Sequence, residues 1–158
     1  MEFKEIIKKV ENTNEFKEFK KQHEEAYLVH IFHMTGVNHQ VGYYSEKTKK
    51  VTTFDLGETI SIKEESPFQE KEHAIKPLVL EKIKLDYDDA IKKANEVKKE
   101  HYPHELTNKE IVVIQDLVEE GQVYNITFIT AAFKTLNIKI NAESGEVIGH
   151  NLANLIGL

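Results

Sequence analysis

Residues 136–152 read LNIKINAESGEVIGHNL, and this stretch decides the fold class. Its first half alternates apolar and polar residues, which is the period of a strand that buries one face. The polar run that follows contains Gly145, and glycine supplies the positive φ that tight turns often need. The apolar pair Val147 and Ile148 comes next. The stretch therefore predicts a half-buried strand, a glycine turn and a brief return strand.

The residues before this hairpin predict a helix and two more strands. Asp86 is the expected N-cap of the helix, with Asp89 three residues later in the capping-box position, and Pro103 ends the helix. The predicted strands of this half span residues 110–118, 123–133 and 136–142. The last residues, 151–158, are expected to form a docked helical turn.

The first half also begins with helical spacing and continues with strands. Apolar residues over 2–24 recur at helical intervals, and the polar run 12–14 divides them, where Thr13 or Asn14 could cap a second helix. β-Branched and aromatic residues then predict strands at 26–34, 38–44, 51–56 and 59–65. The short polar turns between these strands favour an antiparallel meander.

Helix followed by antiparallel strands thus occurs twice, and the turn YYSEKTKKV at 43–51 resembles INAESGEVI at 140–148. This repetition predicts a duplicated unit, although two unrelated hairpins with ordinary turn chemistry would give the same pattern. The predicted organisation is an N-terminal unit at 1–63, a connection rich in proline and charge at 64–78, and a C-terminal unit at 79–158.

Three segments of the second half resemble PepSY domains. LDYDDAIKKANEV resembles the opening helix of that family, VYNITF its central strand, and LNIKINAESGEVIG its closing strand and hairpin. The resemblance covers roughly residues 83–150. Asn141 stands where the family usually has aspartate and Ser144 where it has threonine, and both replacements are conservative for the geometry of a turn.

The resemblance implies an α+β fold in which a helix packs on an antiparallel sheet. Together with the repeated order of elements, it suggests two tandem PepSY-like units of the form α-β-β-β, the first of them diverged. It also implies a non-enzymatic module, since PepSY domains occur in peptidase propeptides and beside cell-wall-lytic systems, where they have been suggested to restrain peptidases. This chain is expected to lack an attached peptidase, a signal peptide and a membrane anchor, so only a general regulatory role is carried over.

The composition excludes several classes of function. The chain has no cysteine, which removes disulfides, thiolate metal sites and cysteine nucleophiles. All 21 basic residues are lysine and the net charge is −6, so nucleic acid is not an expected partner. Glu2 and Glu5 interrupt any signal core, and no apolar run approaches the ~20 residues of a membrane span. We expect a cytoplasmic protein that does not bind membranes.

The histidines do not form a recognisable metal motif. HEEAY at His23 and HELTN at His104 both lack the second histidine of a zinc-binding helix. His30 and His33 should point to opposite faces of their strand and cannot share an ion, whereas His39 could lie across a hairpin from His33. That pair leaves a two-histidine site open, but two ordinary strand histidines are the preferred interpretation, and no metal site is predicted.

No catalytic residue and no cofactor are predicted. None of the serines lies in a G-x-S-x-G turn, and the glycines are too scattered to cradle a phosphate. The carboxylates alternate with lysines on predicted helix faces, which is typical of a solvated surface.

Two strands, 26–34 and 123–133, are apolar on both faces. One face should meet a helix, and the other should meet the second half, a partner chain or a ligand. Packing of the halves on one another is the preferred prediction, and a homodimer through sheet surfaces is the next. The predicted function is a protein-binding or regulatory module. The alternative is a small-molecule-binding protein or an enzyme, with His30 or Tyr43 pointing into a pocket between sheet and helix.

Overall fold

The computed structural model describes residues 2–66 and 75–155. Over these residues the helices are α1 (Phe3–Glu11), α2 (Asn14–Gln22) and α3 (Tyr87–His101), with a short 3-10 helix at Leu80–Lys82. The strands are β1 (Tyr27–Met34), β2 (Gln40–Ser45), β3 (Lys50–Leu56), β4 (Ile60–Glu65), β5 (Thr107–Leu117), β6 (Gly121–Thr130), β7 (Lys134–Asn141) and β8 (Val147–Asn154).

The strands form one antiparallel sheet in the order β4-β3-β2-β1-β5-β6-β7-β8. The two halves of the chain meet where β1 pairs with β5, from His30 opposite Gln115 to Met34 opposite Ile111. The predicted fold class, α+β with helices packed on an antiparallel sheet, is confirmed. The expectation that the halves pack face to face is wrong, because they join edge to edge within a single sheet.

One face of the sheet carries an apolar row that crosses every strand. In sheet order the row is Ile62, Phe54, Val41, Ile31, Ile114, Tyr124, Ile140 and Val147. The inner members are buried in the core, and Val147 at one end packs against it. Ile62 at the other end is 49% exposed. The core therefore covers the row as far as β3 and stops short of β4.

All three helices bury their apolar sides in the same core, against this face of the sheet. The contributing residues of α1 and α2 are Phe3, Ile6, Ile7, Val10, Phe16 and Phe19. Those of α3 are Ala90, Ala94 and Val97, whose small side chains let the helix lie close to β6 and β7. The predicted caps are confirmed: Thr13 Oγ1 accepts from the Phe16 amide at 3.2 Å and Asp86 Oδ1 from the Asp89 amide at 2.9 Å.

Some element boundaries differ from the sequence prediction. Residues 151–154 continue β8, so the helical turn expected there is wrong, while 156–158 lie outside the described residues. β6 ends at Thr130, and Phe133 instead belongs to the turn before β7, with a φ of 58°. In the predicted connection 64–78, the first two residues belong to β4 and residues 67–74 lie outside the described part of the chain.

The two turns that resemble each other in sequence share their hydrogen bonds. The first residue is Ser45 in one turn and Asn141 in the other. In both turns its side-chain oxygen accepts a hydrogen bond from one backbone N–H, and its carbonyl oxygen accepts a hydrogen bond from the next N–H. The donors are Thr48 and Lys49 in one turn, Ser144 and Gly145 in the other. Lys49 and Gly145 both have positive φ. However, the first turn joins β2 to β3 and the second joins β7 to β8, so they occupy different places in their halves.

Candidate functional site

His30 lies on the face of the sheet opposite the helices, which we call the open face. Its ring rests on Gly42 of β2, where a Cβ would approach Cε1 of His30 to 2.2 Å. His30 is paired with Gly42 and His33 with the core residue Val112, so the prediction that the two histidines point to opposite faces is confirmed. Burial lowers the pKa of His30, which favours its neutral form at neutral pH.

His33 and His39 form a stacked pair at the end of the β1–β2 hairpin. Their ring centroids are 4.3 Å apart and their planes differ by 18°. The β1–β2 hairpin therefore brings these two histidines next to each other. Stacked rings present their faces to each other, whereas a metal ion needs nitrogen lone pairs that converge in the ring planes. Burial, and then the neighbouring His33, lower the pKa of His39. Among the described residues, no group of three or more potential ligands is placed to hold a metal.

A second stacked pair joins the end of α3 to β8. The rings of His101 and His150 are 4.5 Å apart, and the Tyr102 hydroxyl lies 2.7 Å from Nδ1 of His150. Both His101, at the end of α3, and His104, just beyond it, are exposed. The partner on β8 was not predicted, because only the strand register brings His150 under the helix. This cluster fastens the helix end to the edge strand.

Aromatic rings fill the space between α2 and the sheet around Tyr43. Tyr43 points inward, as the small-molecule alternative requires, but its ring packs among the phenylalanine rings of α2 and β3. Its hydroxyl donates to Glu11 at 3.2 Å, and burial raises the pKa of Tyr43. The cavity between α1 and the sheet has a volume of about 10 Å³, which is room for one water at most. Among the cavities lined by described residues, those at α1, at α2 and at the sheet edges do not include Tyr43 or His30 in their walls.

An open groove of about 520 Å³ runs between α2 and β4. Phe19 of α2 and Ile62 of β4 give it an apolar floor, and Glu15, Glu18 and Glu64 give it acidic walls. Its remaining lining residues are Asn14, Gln22, His23 and Thr52. Among the described residues β4 is the last strand on this side of the sheet, so within that part of the chain the groove lies directly beside a strand edge that no other strand pairs with. A polypeptide segment could both pair with that edge and insert a side chain over the apolar floor.

Only one residue of the sequence signals this groove. In Ile-Ser-Ile-Lys-Glu-Glu, Ile62 is an apolar residue in a run that becomes fully charged. That pattern predicts a strand but not the distance between α2 and β4, which depends on how the helix packs over β3.

In the second half α3 packs on the sheet at β6 and β7, which is the helix-on-sheet arrangement that the PepSY resemblance implies. Residues 84–151 match the PepSY family. The family is described as the peptidase propeptide and YPEB domain, and the match confirms the resemblance over residues 83–150. The PepSY match covers α3 and most of the strands of the second half, and it leaves the first half outside.

A solved structure resembles the whole fold and not only the PepSY part. It is the crystal structure of a protein from Clostridium difficile 630 described as a "putative lipoprotein". The two share a TM-score of 0.58 over 88% of this chain and 90% of that chain, with 14% sequence identity. At that identity the likeness concerns the fold alone. Among proteins of curated function, none matches the sequence. Within the described residues, no helix has the length and apolar character needed to cross a membrane.

Proposed function

We propose that this chain is a non-catalytic, PepSY-like binding module that recognises an extended segment of another protein in the groove between α2 and β4. The observation that carries the proposal is the half-exposed Ile62, the end of the apolar row that none of the three helices described here covers. An exposed isoleucine beside Phe19, in a groove of about 520 Å³, is a place where a partner's apolar side chain would be removed from water.

The free edge of β4 supplies the second element of recognition. Edge strands carry unpaired backbone N–H and C=O groups, and a partner strand that adds to them gains hydrogen bonds independent of its sequence. The charged end of β4 limits promiscuous pairing, since Lys63 pairs with Glu65 at 2.6 Å and Glu64 with Lys50 at 3.2 Å. The uncharged start of the strand, Ile60–Ile62, is where the partner segment would add.

The acidic walls define the chemistry of the partner. Glu15, Glu18 and Glu64 surround the apolar floor. Glu18 and Glu64 form surface ion pairs with Lys21 at 3.5 Å and Lys50 at 3.2 Å, which a basic partner would have to displace or share, and the preferred segment carries an apolar residue flanked by lysine or arginine. The family description suggests that the protein bearing this segment is a peptidase, which the module would restrain. Addition of the purified chain should then slow substrate cleavage by that peptidase. If the peptidase binds the chain but cleaves its substrate at the same rate, the regulatory part of the proposal is wrong.

The proposal is tested by affinity capture from the host with three forms of the immobilised chain. We expect Ile62→Lys to lose the specific partner, because a charge replaces the apolar floor. Ile148→Lys is the matched control, since Ile148 is also a partly exposed isoleucine but lies on β8, at the other edge of the sheet. Both substitutions are at exposed positions and should change the free energy of unfolding by less than ~0.5 kcal/mol.

Recovery of the same proteins by wild type and both variants would contradict a site in this groove. Where a partner is recovered, its affinity should fall as salt is raised from about 50 to 300 mM, because the acidic walls contribute long-range attraction. Binding that is indifferent to salt would remove the basic-segment part of the proposal.

We further propose that the two halves are tandem PepSY-like units. Each half has helix followed by four strands, and the strand order is mirrored about the β1–β5 pair. The helices of both halves pack on the same face, which a duplicated unit requires. The different places of the two similar turns count against a simple residue-by-residue copy.

A cytoplasmic location stays a prediction, and cell fractionation would test it.

A further inference from the structure

The open face of the sheet is almost free of charge across its centre. The strand register shows this as a row that crosses the sheet in the order Ser61, Asp55, Gln40, Phe32, Val113, Asn125, Lys139 and Gly149. Asp55 on β3 and Lys139 on β7 are the only charged members of this row. They lie symmetrically about the centre, because two strands separate each of them from the β1–β5 seam.

The neighbouring rows repeat this distribution. One runs Lys63, Thr53, Gly42, His30, Gln115, Val123 and Asn141, and the other runs Met34, Ile111, Thr127, Asn137 and Asn151. Over these three rows, the four central strands carry no lysine, aspartate or glutamate on this face, and all of their members except Gly42 and Val123 are at least partly accessible. In a chain with 30% charged residues, a charge-free centre with charges only toward its rim is the composition of a protein interface rather than of a solvated surface.

We propose that the open face is a homodimer interface, in which two copies of this chain pack sheet on sheet. Eight strands about 4.8 Å apart give a face roughly 35 Å wide, and strands of six or more residues give it about 20 Å of height. The resulting ~700 Å² is close to the ~800 Å² that each partner buries in a standard stable interface. This surface is distinct from the groove beside β4, which stays free in the dimer.

Charge complementarity specifies a second copy as the occupant. A two-fold axis parallel to the strands places β3 of one copy over β7 of its partner, because the rotation exchanges the two sides of the sheet. Asp55 and Lys139 belong to one row at equal distances from the seam, so each Asp55 then faces the partner's lysine at that position, twice per dimer. Within one copy Asp55 accepts from Asn38 and Gln40 at 3.0 and 2.9 Å, and Lys139 lies 3.7 Å from Glu120, so the contact across the dimer adds to these partners. A net charge of −6 opposes association elsewhere, but the uncharged centre lets Phe32 and Val113 of two copies meet without like charges.

The dimer is tested by sedimentation equilibrium of the full chain from about 1 to 100 μM. We expect the wild type to be dimeric in this range, and Val113→Lys to raise the dissociation constant at least tenfold. Val118→Lys is the matched control, since Val118 is 51% exposed in the β5–β6 turn and outside the face, and it should dimerise like wild type. Gln115→Lys places a charge in the centre at an already polar position, so it serves if Val113→Lys does not fold.

A charge exchange tests the orientation of the two copies. Asp55→Lys and Lys139→Asp should each weaken the dimer several-fold, and the two together should restore it, because both pairs are then re-formed with reversed signs. A monomeric wild type at 100 μM, or equal effects of Val113→Lys and Val118→Lys, would overturn the proposal. If the wild type is monomeric and Val113→Lys loses a different captured protein, the face belongs to that protein and the homodimer is wrong.

Discussion

At the scale of single residues, the ring of His30 lies directly against Gly42 on the open face. The imidazole occupies the space where any other residue at position 42 would carry its Cβ. The two-residue period of a strand was enough to predict that His30 and His33 face apart. The role of Gly42 was not predictable, because it depends on which β2 residue the register sets beside His30.

We expect Gly42→Ala to destabilise the protein by about 1–3 kcal/mol, since the histidine ring must leave its position. Gly149→Ala is the control, because a Cβ at this β8 glycine meets nothing within 4 Å. Combining Gly42→Ala with His30→Ala should recover most of the loss caused by the glycine substitution. Chemical denaturation measures all four free energies of unfolding, and equal effects of the two glycine substitutions would show that steric contact is not the cause.

At the scale of elements, the hairpin between β7 and β8 was predicted well, but its second strand was not. The alternation of apolar residues before the turn correctly predicted β7. The glycine in the polar run correctly predicted a residue with positive φ, which is Gly145. After Val147 and Ile148, β8 contains Gly149 and Asn151, which lie on the open face and break the run of apolar residues. The sequence alone therefore suggested a strand of only two residues. Edge strands are exposed on one side and need little apolar character, which is why periodicity underestimates their length.

Asn141 controls this hairpin, since its Oδ1 accepts the amides of Glu143 and Ser144, both at 2.9 Å. Asn141→Asp keeps an acceptor oxygen in the same place and restores the family's usual residue, so we expect stability within ~0.5 kcal/mol of wild type. Asn141→Ala removes the acceptor and should cost about 1–2 kcal/mol. Thermal melting followed by circular dichroism compares the three proteins; an alanine variant as stable as wild type would show that the turn does not need its side chain.

At the scale of the whole molecule, the sheet unites two sequence halves that each looked self-contained. The order of a helix followed by strands could be predicted in each half, because the residue patterns of helices and strands are local in sequence. The seam between β1 and β5 was not readable, because it joins residues far apart in the chain, such as Ile31 and Ile114. Contacts between residues that are distant in the sequence also determine the shape of the groove and of the open face. Sequence therefore predicted the elements, but not the surfaces available for binding.

The continuous core predicts one cooperative unfolding transition for the whole chain. Ile31→Ala should cost about 2–4 kcal/mol, because this residue is buried at the seam, and it should lower the melting temperature without splitting the transition. Hydrogen exchange resolved by mass spectrometry should show strands of both halves opening together. Separate opening of β1–β4 and β5–β8 in the wild type would show two independent domains instead.

The seam also has a consequence for synthesis on the ribosome. β1 lies inside the finished sheet, yet its neighbour β5 is made only after some 75 further residues have been translated, beginning at Thr107. Until then the nascent first half presents an apolar strand with an unsatisfied hydrogen-bonding side. The newborn chain is accordingly most vulnerable to mispairing with other copies midway through translation, and slow decoding between β4 and β5 should lower its soluble yield.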